Sequence, residues 1–92
     1  MMNNSAHPGV ILLEDYLKPL AISVDKAAMI INVSREHLLD ITSGYSPVTP
    51  DMAVRFGVLT NTSAKMWLGI QNNHDLSQLD MAEYERIKNF LK

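Results

Sequence analysis

Val24 to Ile41 reads V-D-K-A-A-M-I-I-N-V-S-R-E-H-L-L-D-I, and its spacing predicts a helix, a tight turn and a second helix. Ala28 lies where two crossing helices need a small residue. Asn32 follows the first helix at a sharp turn, a place that often requires positive φ, which asparagine tolerates better than most residues. Val33 offers an apolar plug, and Ser34 can cap the next helix by accepting from one of its orphan N–H groups. Leu38 and Ile41 fall one turn apart and would face back onto Ala28 and Val33. Small residue, turn residue, plug, cap and apolar pair together make the pattern of a helix-turn-helix. A plain corner between two helices carries the same local pattern, so this stretch alone leaves DNA binding open.

Around it the chain has room for one small domain: 92 residues, 47 % hydrophobic and 20 % charged, an ordinary globular composition. The absence of cysteine excludes disulfides and thiolate metal sites and fits a reducing cytoplasm. No run approaches the roughly 18 apolar residues that would cross a membrane. Met1 to His7 lacks the basic and apolar regions of a secretory signal. A soluble, cytoplasmic protein is expected. Eight Lys or Arg against ten Asp or Glu leave a net charge of −2. That average argues mildly against nucleic acid, although a small basic patch opposite an acidic remainder gives the same total.

Residues 1–6 read as a loose tail, and Pro8-Gly9 as an opening turn. Leu13, Tyr16 and Leu17 form the apolar stripe of a first helix over Val10 to Lys18, which Pro19 stops. Leu20 is expected to reach the core, and Ile22 to tuck beneath it before Ser23 caps the second helix. That helix runs to about Ile31. The third spans Ser34 to about Ser43, with Gly44 as its stop. Thr49-Pro50-Asp51 is a strong start for a fourth helix, with Thr49 as cap, and Met52, Ala53, Phe56 and Leu59 form its buried stripe. A fifth helix carries Met66, Trp67 and Ile70 and ends near Asn72-Asn73; Trp67 is read as closing the core over the fourth. From Asp80, a capping box with Glu83 opens a sixth helix whose face holds Met81, Tyr84, Ile87, Phe90 and Leu91. That stripe either packs on the core or forms a dimer or partner surface. No strand alternates convincingly, so the fold class is all-α.

Catalytic chemistry finds no footing. His7, His37 and His74 are widely separated, without the spacings of a metal site. Ser34 near His37 is better explained as a cap than as a nucleophile. No glycine-rich phosphate loop is present. Neither an enzyme, a cofactor nor a metal is expected. The third helix is more informative. With Leu38 and Ile41 inward, Arg35, Glu36, His37, Leu39 and Asp40 occupy or border its outer face. In a recognition helix Arg35 can donate a bidentate pair to guanine, Glu36 can accept from cytosine, and His37 can donate to a base or phosphate. Leu39 would meet a thymine methyl or be covered by a neighbouring element, and Ser34 and Thr42 are candidate phosphate contacts. The competing reading is a solvated charged face. Asp40, and the lack of cations between Gly44 and Pro50, favour that alternative.

Several spaced blocks resemble the HigA-type antitoxins, the virulence-associated protein I group, within the lambda-repressor-like (Xre) helix-turn-helix family. His7-Pro8-Gly9-Val10-Ile11-Leu12 and Leu17-Lys18-Pro19-Leu20 are similar to the group's opening. Val33-Ser34-Arg35, Gly44 and Val48 to Phe56 continue the match, and Thr62-Ser63, Trp67-Leu68, Ile70-Gln71 and Asp75-Leu76 close it. The resemblance covers about residues 7–76, which would form the DNA-binding domain, with 77–92 a C-terminal helix serving as a dimer or partner arm. It implies a lambda-repressor-like five-helix domain with a sixth helix appended. It further implies a cytoplasmic homodimer that represses its own operon at a palindromic operator and neutralises a HigB-like mRNA interferase. Tyr45-Ser46-Pro47 stands where the group typically has a basic pair, and Asn32 where it usually has glycine. The alternative is a protein-interaction module of the same fold with little or no DNA binding.

Overall fold

The computed structural model describes residues 6–91, where six α-helices and no strand occur. Of the tail expected over residues 1–6, all but Ala6 lies outside the described residues. α1 (Pro8–Ile11) runs directly into a π-helical stretch (Leu12–Leu17). α2 (Val24–Ile31), α3 (Arg35–Thr42), α4 (Pro50–Thr60), α5 (Ala64–Ser77) and α6 (Met81–Phe90) follow. The first five helices enclose one core, in which Leu12, Ala27, Leu38, Ile41, Ala53, Phe56 and Trp67 are wholly removed from solvent. No helix among the described residues is long and apolar enough to cross a membrane.

The opening segment departs from expectation. Pro8-Gly9 is the first turn of α1 rather than a turn preceding it. Pro8 takes the first helical position, where its missing N–H costs nothing, and the His7 ring accepts from the Gly9 N–H at 2.9 Å as the cap. The helix then widens: the Lys18 N–H donates to the Leu13 carbonyl at 2.9 Å, five residues back. In an α-helix residues five apart diverge, whereas the wider turn brings Leu12 and Leu17 inward together, 0 % and 1 % exposed. Leu13 and Tyr16 are only partly buried against the core. Leu20 is not a core residue; Pro19 and the left-handed Ala21 (φ 57°) turn it outward, and Ile22 takes the inner place as expected.

Five of the helices begin on a side-chain oxygen: Ser23, Ser34, Thr49, Ser63 and Asp80 each accept an orphan N–H. The Asp80–Glu83 box is half made. Asp80 caps the Ala82 N–H, while the Glu83 carboxylate pairs with Arg86 at 3.3 Å. α5 continues to Ser77, beyond the expected end at Asn72-Asn73, because neither asparagine leaves the helical conformation. Trp67 does close the core over α4, with its ring edge-on to Phe56 at 5.4 Å. Its indole N–H donates to the Thr62 hydroxyl at 2.8 Å. Thr60 spends its proton on the Phe56 carbonyl at 2.7 Å, so Thr62 must donate to Thr60 at 2.6 Å and the chain of polar atoms is satisfied throughout. α6 packs on none of this: every described residue of it is exposed, and the molecule extends 54 × 24 × 22 Å.

His7 carries a pH consequence. Burial lowers its pKa below 6.5, and the His74 ring 5.0 Å away adds to the effect. A hydrogen bond to the Ser46 backbone and the Asp75 charge act in the opposite direction without reversing it. The unfolded chain therefore binds the proton more readily than the folded one. Stability should be complete above about pH 6.5 and fall as pH drops through the folded value. Thermal melts between neutral and mildly acidic pH check this. His7→Asn, which keeps a capping acceptor, should flatten the acid limb, and an unchanged slope would remove His7 as its source.

Candidate nucleic-acid interface

The corner between α2 and α3 is built as the sequence predicts. Asn32 sits at φ 60°, ψ 52°, the left-handed conformation that ends α2, and the Val33 N–H donates back to the Ala28 carbonyl at 3.0 Å. Ala28 is buried, Val33 packs partly against the core, and Leu38 and Ile41 are fully enclosed. Ser34 caps α3 by accepting the His37 N–H at 3.1 Å. Arg55 holds the corner from α4, donating to the Ile31 carbonyl at 2.6 Å while pairing with Asp51 at 3.0 Å. That guanidinium satisfies an orphan acceptor at the end of α2, which its plain i,i+4 partnership with Asp51 does not reveal.

Four of the candidate contacts, Ser34, Arg35, Glu36 and His37, stand exposed on the first turn of α3 and its cap, with Asp40 one turn further on. The positive end of the helix dipole adds to this surface. Leu39 is half-buried at its border. Thr42 does not belong to it: it is 5 % exposed, and its hydroxyl donates back to the Leu39 carbonyl at 3.2 Å. Counting a full turn from His37 and Leu38 puts position 42 beside Leu38 on the inner side, and a threonine there turns its methyl to the core and its hydroxyl to the backbone.

Arg35 is tied through Nε to the Asp25 carboxylate of α2 at 2.5 Å, with both side chains more than half exposed. Asp25 is the residue that sequence reasoning missed. Ten positions separate the pair, and only the crossing of α2 and α3 brings their first turns together. With Asp25, Glu36 and Asp40 beside Arg35 and Lys26, the surface has no cationic excess. Its chemistry is that of directed donors rather than of a basic field.

The segment after α3 is held firmly. Gly44 at φ 85° permits the reversal, and the N–H groups of Tyr45 and Ser46 both donate to the Asp40 carbonyl, at 2.8 and 3.1 Å. The buried Gln71 accepts the Val48 N–H at 2.7 Å and donates to Asp75 at 2.9 Å. Tyr45, 85 % exposed, is thereby presented beyond the end of α3. Among the described residues no group of three His, Asp or Glu side chains is placed to hold a metal.

This geometry is shared with known proteins. The chain is 35 % identical over 80 residues to virulence-associated protein I of Dichelobacter nodosus, covering 87 % of this chain and 71 % of the relative. A Pseudomonas aeruginosa protein solved with its operator DNA superposes with a TM-score of 0.87 at 28 % identity, over 99 % of this chain and 96 % of that one. Antitoxin HigA of Pseudomonas aeruginosa, solved with the higBA promoter, gives a TM-score of 0.84 at 30 % identity over 94 % of each chain. No family model matches the chain. A complete helix-turn-helix corner, five helices around one core and this degree of likeness place the chain in the HigA-type antitoxins, the virulence-associated protein I group of the lambda-repressor-like helix-turn-helix family.

Proposed function

We propose that this chain is a sequence-specific DNA-binding antitoxin of a type II toxin-antitoxin system. It works in the cytoplasm without enzymatic activity, represses its own operon as a homodimer, and neutralises a HigB-like mRNA interferase. The observation that carries the DNA-binding part is the exposed first turn of α3, where Arg35 and His37 project from a capped helix on a rigid corner. The solved relatives with operator and promoter DNA support that reading. Residues 7–76 hold the DNA-binding domain, although α5 passes through the boundary, and 77–92 supply an arm. In the dimer each α3 lies in a major groove, with half-sites about 34 Å apart. Arg35 reads a base, Glu36 and His37 contact bases or phosphate, Leu39 lines the border, and Ser34 and Tyr45 serve the backbone. Thr42 supports α3 from inside.

Arg35→Ala should weaken operator binding by about 1–3 kcal/mol, roughly 5- to 150-fold, with little effect on the melting temperature because the Asp25 pair is exposed. A titration of operator DNA checks it, and unchanged affinity would strike Arg35 from the contacts. The proposal as a whole is tested by gel-shift against the chain's own upstream DNA across a salt series, with scrambled competitor. Specific binding that falls steeply with salt is the expected result. The balance of acidic neighbours around Arg35 favours a second reading, an interaction module without useful DNA affinity. A folded dimer that binds no DNA at low salt would select it.

A further inference from the structure

We propose that Asp25 is a positioning residue for DNA recognition. Its carboxylate holds Arg35 by Nε and leaves the two Nη groups for one guanine in each half of the operator. The inference rests on the repressor reading above, in which Arg35 reads a base, and names what makes that contact selective. Asp25 is the second residue of α2 and Arg35 the first of α3. Both first turns are fixed, since Ser23 accepts the Lys26 N–H at 3.0 Å and Ser34 accepts the His37 N–H at 3.1 Å. The left-handed Asn32 and the Arg55 bond to the Ile31 carbonyl pin the corner between them. The two partners therefore stand on rigid supports, and only their side chains have freedom to lose.

The nitrogen that Asp25 engages decides the consequence. A guanidinium offers two edges, one formed by Nε with an Nη and one by the two Nη groups. The pair runs from Nε to Oδ1 at 2.5 Å, and among the described residues neither Nη has a partner. The edge that remains matches the O6 and N7 acceptors of guanine, which take a bidentate pair. An arginine free at Nε samples many rotamers and meets the nearest phosphate. One held there has given up much of that freedom before DNA arrives. The fold does not depend on the pair: with side chains 56 % and 65 % exposed, it adds little stability. Charge sharpens the choice. Asp25, Glu36 and Asp40 set three exposed carboxylates on this surface, and each repels the phosphates of any duplex. Random DNA, held by phosphate contacts alone, feels that repulsion in full, whereas operator DNA offsets it at the guanine.

Titrations of the full chain with operator and scrambled duplexes, across a salt series, test this with Asp25→Ala and Asp25→Asn. Asp25→Ala should bind scrambled DNA more tightly, with a salt slope steeper by about one, because the freed Arg35 takes a phosphate. Its preference for operator over scrambled DNA should fall about tenfold or more. Asp25→Asn, whose amide oxygen still accepts from Nε, should keep most of that preference. Both variants should melt with the wild type, since the pair is exposed. Replacing each operator guanine in turn by 7-deazaguanine, which lacks the N7 acceptor, locates the contact. The wild type should lose affinity at one guanine per half-site, and Asp25→Ala and Arg35→Ala should be indifferent to that same change. Equal gains by Asp25→Ala on both duplexes would reduce Asp25 to a repelling charge and overturn the inference. A wild type indifferent to every 7-deazaguanine, or an Asp25→Ala protein with the wild-type penalty, would overturn it as well. In those cases specific operator binding leaves the repressor reading standing. A wild type that binds scrambled DNA as tightly as operator removes that reading, and the role of Asp25 with it.

Discussion

Trp67→Ala should lower the stability of the domain by about 3–5 kcal/mol, a large part of the roughly 5–15 kcal/mol available to a small protein. The indole is 0 % exposed and packs on Phe56 at 5.4 Å and Tyr16 at 5.6 Å, so its removal opens a cavity where the π-helical stretch, α4 and α5 converge. The change also strips Thr62 of the indole N–H donor. Trp67→Phe separates the two losses, keeping most of the ring volume without the hydrogen bond, and should fall well short of the alanine loss. Urea unfolding followed by circular dichroism measures both. A Trp67→Ala midpoint near the wild type would mean that the surrounding helices collapse to fill the space, contrary to the packing described.

The second large effect is expected at Gly9. A methyl group placed there would sit 1.8 Å from the Ile41 carbonyl oxygen and 2.4 Å from its carbon. Both are backbone atoms of α3, so no rotation of a side chain relieves the clash and trimming Ile41 cannot rescue it. α1 must lift away from α3. Overpacking of this kind costs about 1–3 kcal/mol, and a contact between two backbones belongs at the upper end or beyond. Since α1 backs the proposed recognition helix α3, Gly9→Ala should also weaken operator binding even where the protein remains folded. Denaturation and DNA titration of the same preparation test both halves. Wild-type values in both would show that α1 is not held against α3 as described.

What the sequence disclosed, and what it withheld, divides along the range of the interactions. Ser23, Ser34 and Thr49 cap helices within three residues of themselves, and Asn32 turns the chain at its own φ; such features are written locally and were legible. The core stripe of α4 was legible because its period is that of an ordinary helix. The stripe of the first helix was legible only in part: Leu17 is buried as expected, but Leu12 shares its side only on a π-helix, and α spacing selects Leu13 and Tyr16, which are partly buried. Leu20 was assigned inward because alanine at position 21 carries no mark of its left-handed backbone. At the candidate site the exposed residues of α3 followed from periodicity, but the Asp25–Arg35 pair and the Gln71 clamp on Val48 join helices that the sequence keeps apart. Thr42 was placed on the surface by its polarity, whereas its position on the helix wheel puts it inside.

The ring contact between His7 and His74 joins nearly the two ends of the described core. During synthesis α1 is made well before its partners on α5. Until α5 emerges, Leu12 and Leu17 have no complete surface to meet, and a four-residue α-helix with its π extension cannot persist alone. The corner of α2 and α3 can form in the meantime from neighbours in the chain. α1 can meet α3 at Gly9 and Ile41 as soon as the corner has formed, but its seat is complete only when α5 supplies Trp67 and His74, so closure of this domain waits until α5 has been made.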